Sequence, residues 1–132
     1  QMGTFYAAHG QIVSKTLQDL EFEWDCGPTL LPHNVNRLAW HSFCAETGLA
    51  TDRIRLGLLP DIGHCYTVDP FLLLKQELED RICSRDSGPF TPVTLLSVGM
   101  GGYAAGCQIS AAGAAVSSSH STYFQRSGTH AL

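Results

Sequence analysis

The stretch LLPHNVNRLAWHSF, residues 30–43, passes from an apolar run to an amphipathic segment and carries a histidine at the junction. The letters TLLP, residues 29–32, predict a short buried strand. Pro32 ends that strand because proline has no backbone N–H to donate to a neighbouring strand. His33 therefore lies directly after a predicted strand.

A helix is expected directly after this histidine. Asn34 is predicted to cap it, because asparagine side chains accept hydrogen bonds from the first free N–H groups of a helix. Gly48 ends the helix, since glycine readily adopts the left-handed conformation found at helix ends. The expected apolar face consists of Val35, Leu38 and Phe43.

The rest of the chain alternates between helical and extended patterns. The most regular helix is one that Asp69 caps and Pro70 begins. Its expected buried face consists of Phe71, Leu74, Leu78 and Ile82. The other predicted elements are a helix over residues 4–19, a strand over 53–59, a strand over 93–99 and, after a glycine turn, a last strand or small-residue helix. This alternation predicts an α/β fold with a mixed, mostly parallel sheet and helices packed on it.

Composition limits the domain count and the class of protein. The chain has 132 residues, of which 44% are hydrophobic and 15% are charged, which suits one core in one soluble domain. We assign residues 1–116 to that domain and residues 117–132 to a polar tail. Gln1 precedes Met2 without a signal or transit pattern, so we expect the chain to begin in mid-protein.

Charge and cysteine content limit the partners. The net charge of −4 has no basic stripe, which disfavours nucleic acid and an anionic membrane surface. Glycines dilute the uncharged run from Ser87 to Gln125, so we expect no membrane span. Five cysteines without zinc-type spacing predict reduced thiols in a cytoplasmic protein and no metal site.

Three segments are predicted to meet where ligands bind in open α/β sheets, at the carboxyl ends of the strands. They are His33, the pair Gly63 and His64 after the 53–59 strand, and the turn Gly99–Gly102 after the 93–99 strand. A helix N-terminus disfavours a protonated ring, so His33 is expected to be neutral and able to accept a proton. The bare N–H groups of a glycine turn can stabilise an oxyanion.

Each of these features also has a purely structural interpretation. His33 is then a polar lead-in to a helix, Asp69 is only an N-cap, and the glycines form only a tight turn. The residues alone leave both interpretations open.

Several segments in the same order resemble the ketoacyl synthase III family of the thiolase superfamily. LLPHNVNRLAW is similar to the family's His-x-x-Asn segment, with His33 at the catalytic histidine and Asn36 at the asparagine. Residues 61–79, DIGHCYTVDPFLLLKQELE, resemble the loop and helix after the family's Gly-Asn. Residues 93–110, VTLLSVGMGGYAAGCQIS, resemble its closing strand, glycine turn and final strand. The resemblance extends to about Ala112 and implies a carboxyl-terminal thiolase-like half.

The resemblance implies acyl transfer from a coenzyme A or carrier-protein thioester, without a further cofactor. The nucleophilic cysteine would belong to an amino-terminal half that this chain lacks, and the assembly would be a homodimer. Where condensing members carry an asparagine, this chain carries His64. With Asp69, this pattern resembles the acyltransferase branch of polyketide tailoring, which moves an acyl group onto a hydroxyl.

The resemblance also implies roles for individual residues. His33, His64 and Asp69 are the expected catalytic residues, and Asp69 either orients His33 or only caps its helix. Asn36, Gly101 and Gly102 are the expected substrate and oxyanion contacts, and the Gly101 N–H is expected at the thioester oxygen.

Three alternatives stay open. The chain is either a decarboxylative β-ketoacyl synthase or a non-catalytic binding half if the hydroxyl transfer is wrong. In the third alternative, DCGP around Cys26 resembles the nucleophile corner of papain-like peptidases, with His64 and Asp69 as partners. Pro32 and His33 disfavour it, because they break the long helix those enzymes need after the cysteine.

Overall fold

The structure is a computed structural model that describes residues 2–34, 36–58, 60–85, 88–99, 101–110 and 117–122. Its helices and strands are α1 (Met2–Asp19), β1 (Thr29–Pro32), α2 (Arg37–Thr47), α3 (Asp69–Cys83), β2 (Val93–Gly99), β3 (Tyr103–Ile109) and β4 (Ser117–Thr122). Short 3₁₀ turns occupy Thr51–Arg53 and Tyr66–Val68. No described helix has the length and apolarity needed to cross a membrane.

The four strands form one mixed sheet in the order β1-β2-β3-β4. β1 and β2 run parallel, whereas β2–β3 and β3–β4 are antiparallel. The mixed α/β class agrees with the sequence, but the prediction of a mostly parallel sheet is wrong for the described strands. The reason is the glycine turn, in which the Gly102 N–H donates to the Gly99 oxygen at 3.2 Å. So tight a turn returns the chain as an antiparallel neighbour.

The strand predicted over residues 53–59 is reduced to a single bridge. Ile54 bridges Leu30 in the parallel sense, and the Arg55 N–H donates to the Leu30 oxygen at 3.0 Å. The chain then turns, with the Ile62 N–H bonded to the Leu58 oxygen at 2.9 Å. This segment therefore lies beside β1 as predicted but is too short to be a strand.

Helices cover both faces of the sheet. Because side chains alternate across a strand, Leu30 and Leu96 face one side while Leu31 and Leu95 face the other. The first side packs against α1 and α2, through Ile12, Val13, Leu17, Trp40 and Phe43. The second side packs against Leu73 of α3. The result is a three-layer arrangement, as expected for an α/β fold.

The start of α2 differs from the prediction. Its N-cap is Asn36, not Asn34, because the Asn36 side chain accepts from the Leu38 and Ala39 N–H groups, whereas the Asn34 N–H donates to Asp69 before the helix begins. Leu38 is exposed, because it lies five positions before the buried Phe43 and therefore on a different side of the helix. Val35 lies outside the described residues. Gly48 ends the helix at a φ of 76°, as predicted. The buried residues are Ala39, Trp40, Phe43 and Cys44.

The expected buried face of α3 is largely exposed. Phe71 is 61% exposed and Ile82 is 76% exposed, and Leu78 also lies in solvent. Leu73 and Pro70 are buried instead. The spacing identified the helix correctly, but the sheet receives the neighbouring side of it. Leu74 is half-buried at the border between the two sides.

The predicted polar tail begins with a strand. Ser117–Thr122 forms β4 and pairs with β3, although the run has no apolar alternation. The free edge of β3 offers unpaired backbone groups, and pairing with them does not require apolar side chains. Residues 111–116 and 123–132 lie outside the described residues.

Candidate functional site

The structure brings together the three segments that follow β1, precede α3 and end β2. The His33 N–H donates to the Leu96 oxygen at 2.8 Å, which extends the β1–β2 pairing by one residue. The Val98 N–H donates to His33 Nδ1 at 3.3 Å. The Asn34 N–H donates to the Asp69 carboxylate at 2.7 Å. These contacts build one site at the carboxyl ends of two parallel strands.

Asp69 is buried, and both oxygens of its carboxylate accept hydrogen bonds. Oδ2 accepts from the Asn34 N–H and lies 2.7 Å from His64 Nδ1, while Oδ1 accepts from the Cys65 N–H at 2.7 Å. The carboxylate therefore orients His64, and the expectation that it orients His33 is wrong. It does not cap α3 either, because Val68 occupies the cap position without a side-chain bond.

Asp69 determines which nitrogen of His64 carries the proton. A carboxylate accepts but does not donate, so the 2.7 Å contact requires a proton on Nδ1. The Tyr66 N–H lies 3.3 Å from the same nitrogen and is the weaker contact, since it competes with that proton. His64 Nε2 is therefore the acceptor of the neutral ring. The His64 side chain is 27% exposed, so this ring is open to solvent.

His33 is held in the opposite form. It is buried, and its Nδ1 accepts the Val98 N–H, so the proton of the neutral ring lies on Nε2. Burial, followed by the positive charges of His9 and His64, lowers the pKa of His33 to about 4, although Asp69 opposes the shift. The expectation of a neutral His33 agrees with this pKa. The expected proton acceptor is instead a donor, because the backbone already occupies Nδ1.

Trp40 and His9 support His33 from the side of α1 and α2. The Trp40 Nε1–H donates to the His33 oxygen at 3.0 Å, and its ring meets the His33 ring edge-on. His9 lies edge-on to Trp40 with ring centroids 4.8 Å apart, and burial lowers its pKa. Sequence analysis missed both residues. For Trp40, the available signal was its position two helical turns after His33.

The two asparagines differ from expectation. The Asn36 side-chain oxygen accepts from the Leu38 and Ala39 N–H groups at 2.9 and 3.4 Å, so this oxygen caps α2 and is not available to substrate. Asn34 is fully buried, and its side-chain amide has no hydrogen-bond partner among the described residues. Only its backbone takes part in the site.

The glycine turn follows Val98 by one residue. The Gly102 N–H is bonded within the turn, so it is not a free oxyanion donor. Gly101 is exposed, and its N–H has no acceptor in the part of the chain that the structure describes. Of the two expected donors, only Gly101 therefore keeps an available N–H.

All five cysteines are free thiols. Cys65 contributes its backbone N–H to Asp69, but no described cysteine sulfur is hydrogen-bonded to a histidine. Cys26 precedes the amino end of β1, whereas His64 and Asp69 lie at the opposite end, which disfavours the peptidase alternative. Within the described ranges, no group of three His, Cys, Asp or Glu side chains is arranged to hold a metal ion.

The site combines a buried histidine held by the backbone, a carboxylate-oriented histidine and a nearby glycine turn. In chemical terms, it can donate a hydrogen bond at His33 Nε2 and accept a proton at His64 Nε2. Comparison with known proteins adds no assignment, since no family model, curated protein or solved structure matches the chain.

Proposed function

We propose that this chain carries the acid–base half of an acyltransferase site, which moves an acyl group from a thioester to a hydroxyl. The observation that carries the proposal is that the Nδ1 atoms of two neighbouring histidines have opposite partners, a backbone N–H at His33 and a carboxylate at His64, while the ring centroids lie 6.0 Å apart. Transfer to a hydroxyl requires both a base for the acceptor and a donor for the oxyanion.

His64 is the proposed base. Asp69 holds its Nδ1–H, which leaves Nε2 to take the proton of the acceptor hydroxyl. The buried carboxylate then stabilises the imidazolium that forms. This arrangement follows the logic of a carboxylate–histidine pair that activates an oxygen nucleophile.

His33 is the proposed oxyanion donor, together with the Gly101 N–H. Its low pKa keeps the ring neutral at pH 7, and Nε2–H is the nitrogen left to donate. The acceptor oxygen attacks the acyl carbon, the carbonyl oxygen gains negative charge beside these donors, and collapse expels the thiolate as the ester forms.

The thiolate is proposed to come from a cysteine in an amino-terminal half, loaded from a coenzyme A or carrier-protein thioester. The exposed apolar stripe of Phe71, Leu78 and Ile82 supports such a half, since a surface of this kind is usual where another element packs. The resemblance to ketoacyl synthase III implies that two copies of the complete protein form a homodimer.

Decarboxylative condensation is the alternative that the same site makes less favourable. An enolate needs hydrogen-bond donors, and His64 Nε2 is an acceptor while Asp69 holds the proton on Nδ1. Transfer to a hydroxyl instead uses this nitrogen in the form in which it is held.

Product analysis of the protein together with its amino-terminal half tests this function. Acetyl and malonyl thioesters are offered with a panel of alcohols, phenols and sugars, and the product masses are measured. We expect an ester, which disappears in His64→Gln and persists in His41→Gln, a matched change at an exposed histidine of α2. A β-ketoacyl product from the malonyl thioester would return the chain to the condensing enzymes.

A further inference from the structure

Tyr66 lies against the candidate base. Its ring centroid is 4.5 Å from that of His64, with the two planes tilted by 49°. The Tyr66 side chain is nevertheless 71% exposed. One face of the aromatic ring therefore stays open to solvent beside the accessible histidine of the site.

The backbone of Tyr66 is strained. Its φ is 55°, in the left-handed region that bulky L residues rarely adopt. The other described non-glycine residues with positive φ are Glu21 and Arg85, which follow α1 and α3, where such conformations close helices. Tyr66 instead begins a 3₁₀ turn between His64 and Asp69. Helix termination therefore does not account for its conformation.

Folding gains little from this residue. A side chain so exposed buries little apolar area, while the left-handed backbone costs free energy. Strained residues of this kind cluster at active sites, ligand clamps and switch regions. Ile62 and Val68, which flank this loop in sequence, are also about half exposed.

We infer that Tyr66 is a stacking platform for the acyl acceptor and selects a hydroxyl carried by a ring with a flat face. The inference rests on the proposed function, because it takes His64 as the base that the hydroxyl must reach. Phenols and pyranosides share the required chemistry, since an aromatic ring and the C–H face of a sugar both pack on an aromatic side chain. A hydroxyl that reaches His64 brings the ring that bears it over Tyr66.

A binding experiment on the full chain tests the platform without requiring turnover. Phenol, methyl β-D-glucopyranoside and 1-hexanol are titrated separately while NMR follows the His64 ring protons. At least one ring probe is expected to bind more tightly than 1-hexanol. Tyr66→Ala is expected to weaken that binding about fivefold, whereas Tyr66→Phe keeps it within about twofold. Preference for phenol or for the glucoside identifies an aromatic or a carbohydrate acceptor.

Two further variants separate binding from folding. Tyr66→Gly removes the ring and relieves the left-handed strain, so we expect a higher melting temperature with the same loss of binding. Phe90→Ala removes a half-buried aromatic ring before the amino end of β2, away from the site, and is expected to leave binding unchanged. The inference is wrong if Tyr66→Ala binds the ring probes as tightly as the wild type does, or if 1-hexanol binds as tightly as the ring probes.

The same variants distinguish this inference from the proposed function. If Tyr66→Ala leaves ester formation by the complete enzyme unchanged, Tyr66 does not bind the acceptor, but the proposed acyl transfer stands. If ring probes bind through Tyr66 but no ester forms, the proposed acyl transfer is wrong and Tyr66 is still a ring-binding residue.

Discussion

His33 and His64 are neighbours, yet they are held by opposite kinds of structure. His33 follows β1, is 5% exposed, and is held by the backbone N–H of Val98 and by Trp40. His64 lies in a loop and is held by one buried carboxylate. A backbone donor makes one ring a hydrogen-bond donor at its other nitrogen, and a carboxylate makes the other ring an acceptor. The partner of Nδ1, more than burial alone, therefore determines whether Nε2 of each histidine donates or accepts a hydrogen bond.

The largest expected effect comes from replacing His64, the proposed base. Glutamine fills a similar volume but cannot take a proton at neutral pH, so His64→Gln should lower acyl transfer in the complete enzyme about 1,000-fold. Steady-state kinetics measure the effect, and His41→Gln serves as the control. A fall of less than tenfold in folded His64→Gln would remove this residue as the base.

The pH dependence of the free energy of unfolding tests whether His33 is buried in its neutral form. The pKa of about 4 in the folded state lies below the ordinary value of 6.5, so the unfolded chain binds the proton more readily. Stability is therefore full above pH 6.5 and falls as the pH drops towards 4. Between pH 7 and pH 4.5 the free energy of unfolding should fall by about 2 to 3 kcal/mol from His33 alone.

Denaturant unfolding of wild type and His33→Gln at the two pH values measures this contribution. His33→Gln should show a clearly smaller loss, and the remainder includes His9, whose pKa is lowered by burial in the same direction. An equal acid-induced loss in both proteins would contradict a buried neutral His33.

Asp69→Asn weakens the link between the two regions, because Asp69 binds the Asn34 backbone as well as His64. Asparagine offers one acceptor oxygen where the carboxylate offers two, so its NH₂ group must face a buried N–H. We expect a loss of about 2 kcal/mol in the free energy of unfolding. Asp61→Asn, at an exposed aspartate, is the control, and equal losses in both variants would contradict the structural role of Asp69.

The smallest expected effect concerns the support of His33. Trp40→Phe removes the indole N–H that donates to the His33 oxygen and should cost about 1 kcal/mol beyond the loss of ring area. Trp24→Phe provides the comparison, since the Trp24 ring packs against the same core without a described hydrogen bond from its indole. Chemical denaturation measures both, and a smaller loss for Trp40→Phe would contradict this support.

Sequence patterns predicted the elements well where local chemistry decides them. Pro32 and Gly48 mark the ends of β1 and α2, and the apolar run Val93–Gly99 is β2 with the same bounds. Each of these signals acts within a few residues. The meeting of the β1 end with the loop before α3 also followed from topology, since parallel strands bring their carboxyl ends to one edge.

Sequence patterns could not predict which side chains pair within the site. His33 and His64 both follow strand-like segments, and no spacing tells which one the carboxylate of Asp69 will reach. The Asn34 N–H also donates to that carboxylate, in a segment that lies before the α2 cap at Asn36. The choice depends on tertiary contacts across 35 positions of the chain.

The two histidines carry their protons on opposite nitrogens, and ¹⁵N NMR of the imidazole rings at pH 7 measures this directly. In a neutral ring, the protonated nitrogen and the nitrogen with the lone pair have well separated ¹⁵N shifts, and assignment uses His33→Gln and His64→Gln. We expect the proton on Nε2 of His33 and on Nδ1 of His64. The proton on the same nitrogen in both rings would contradict it.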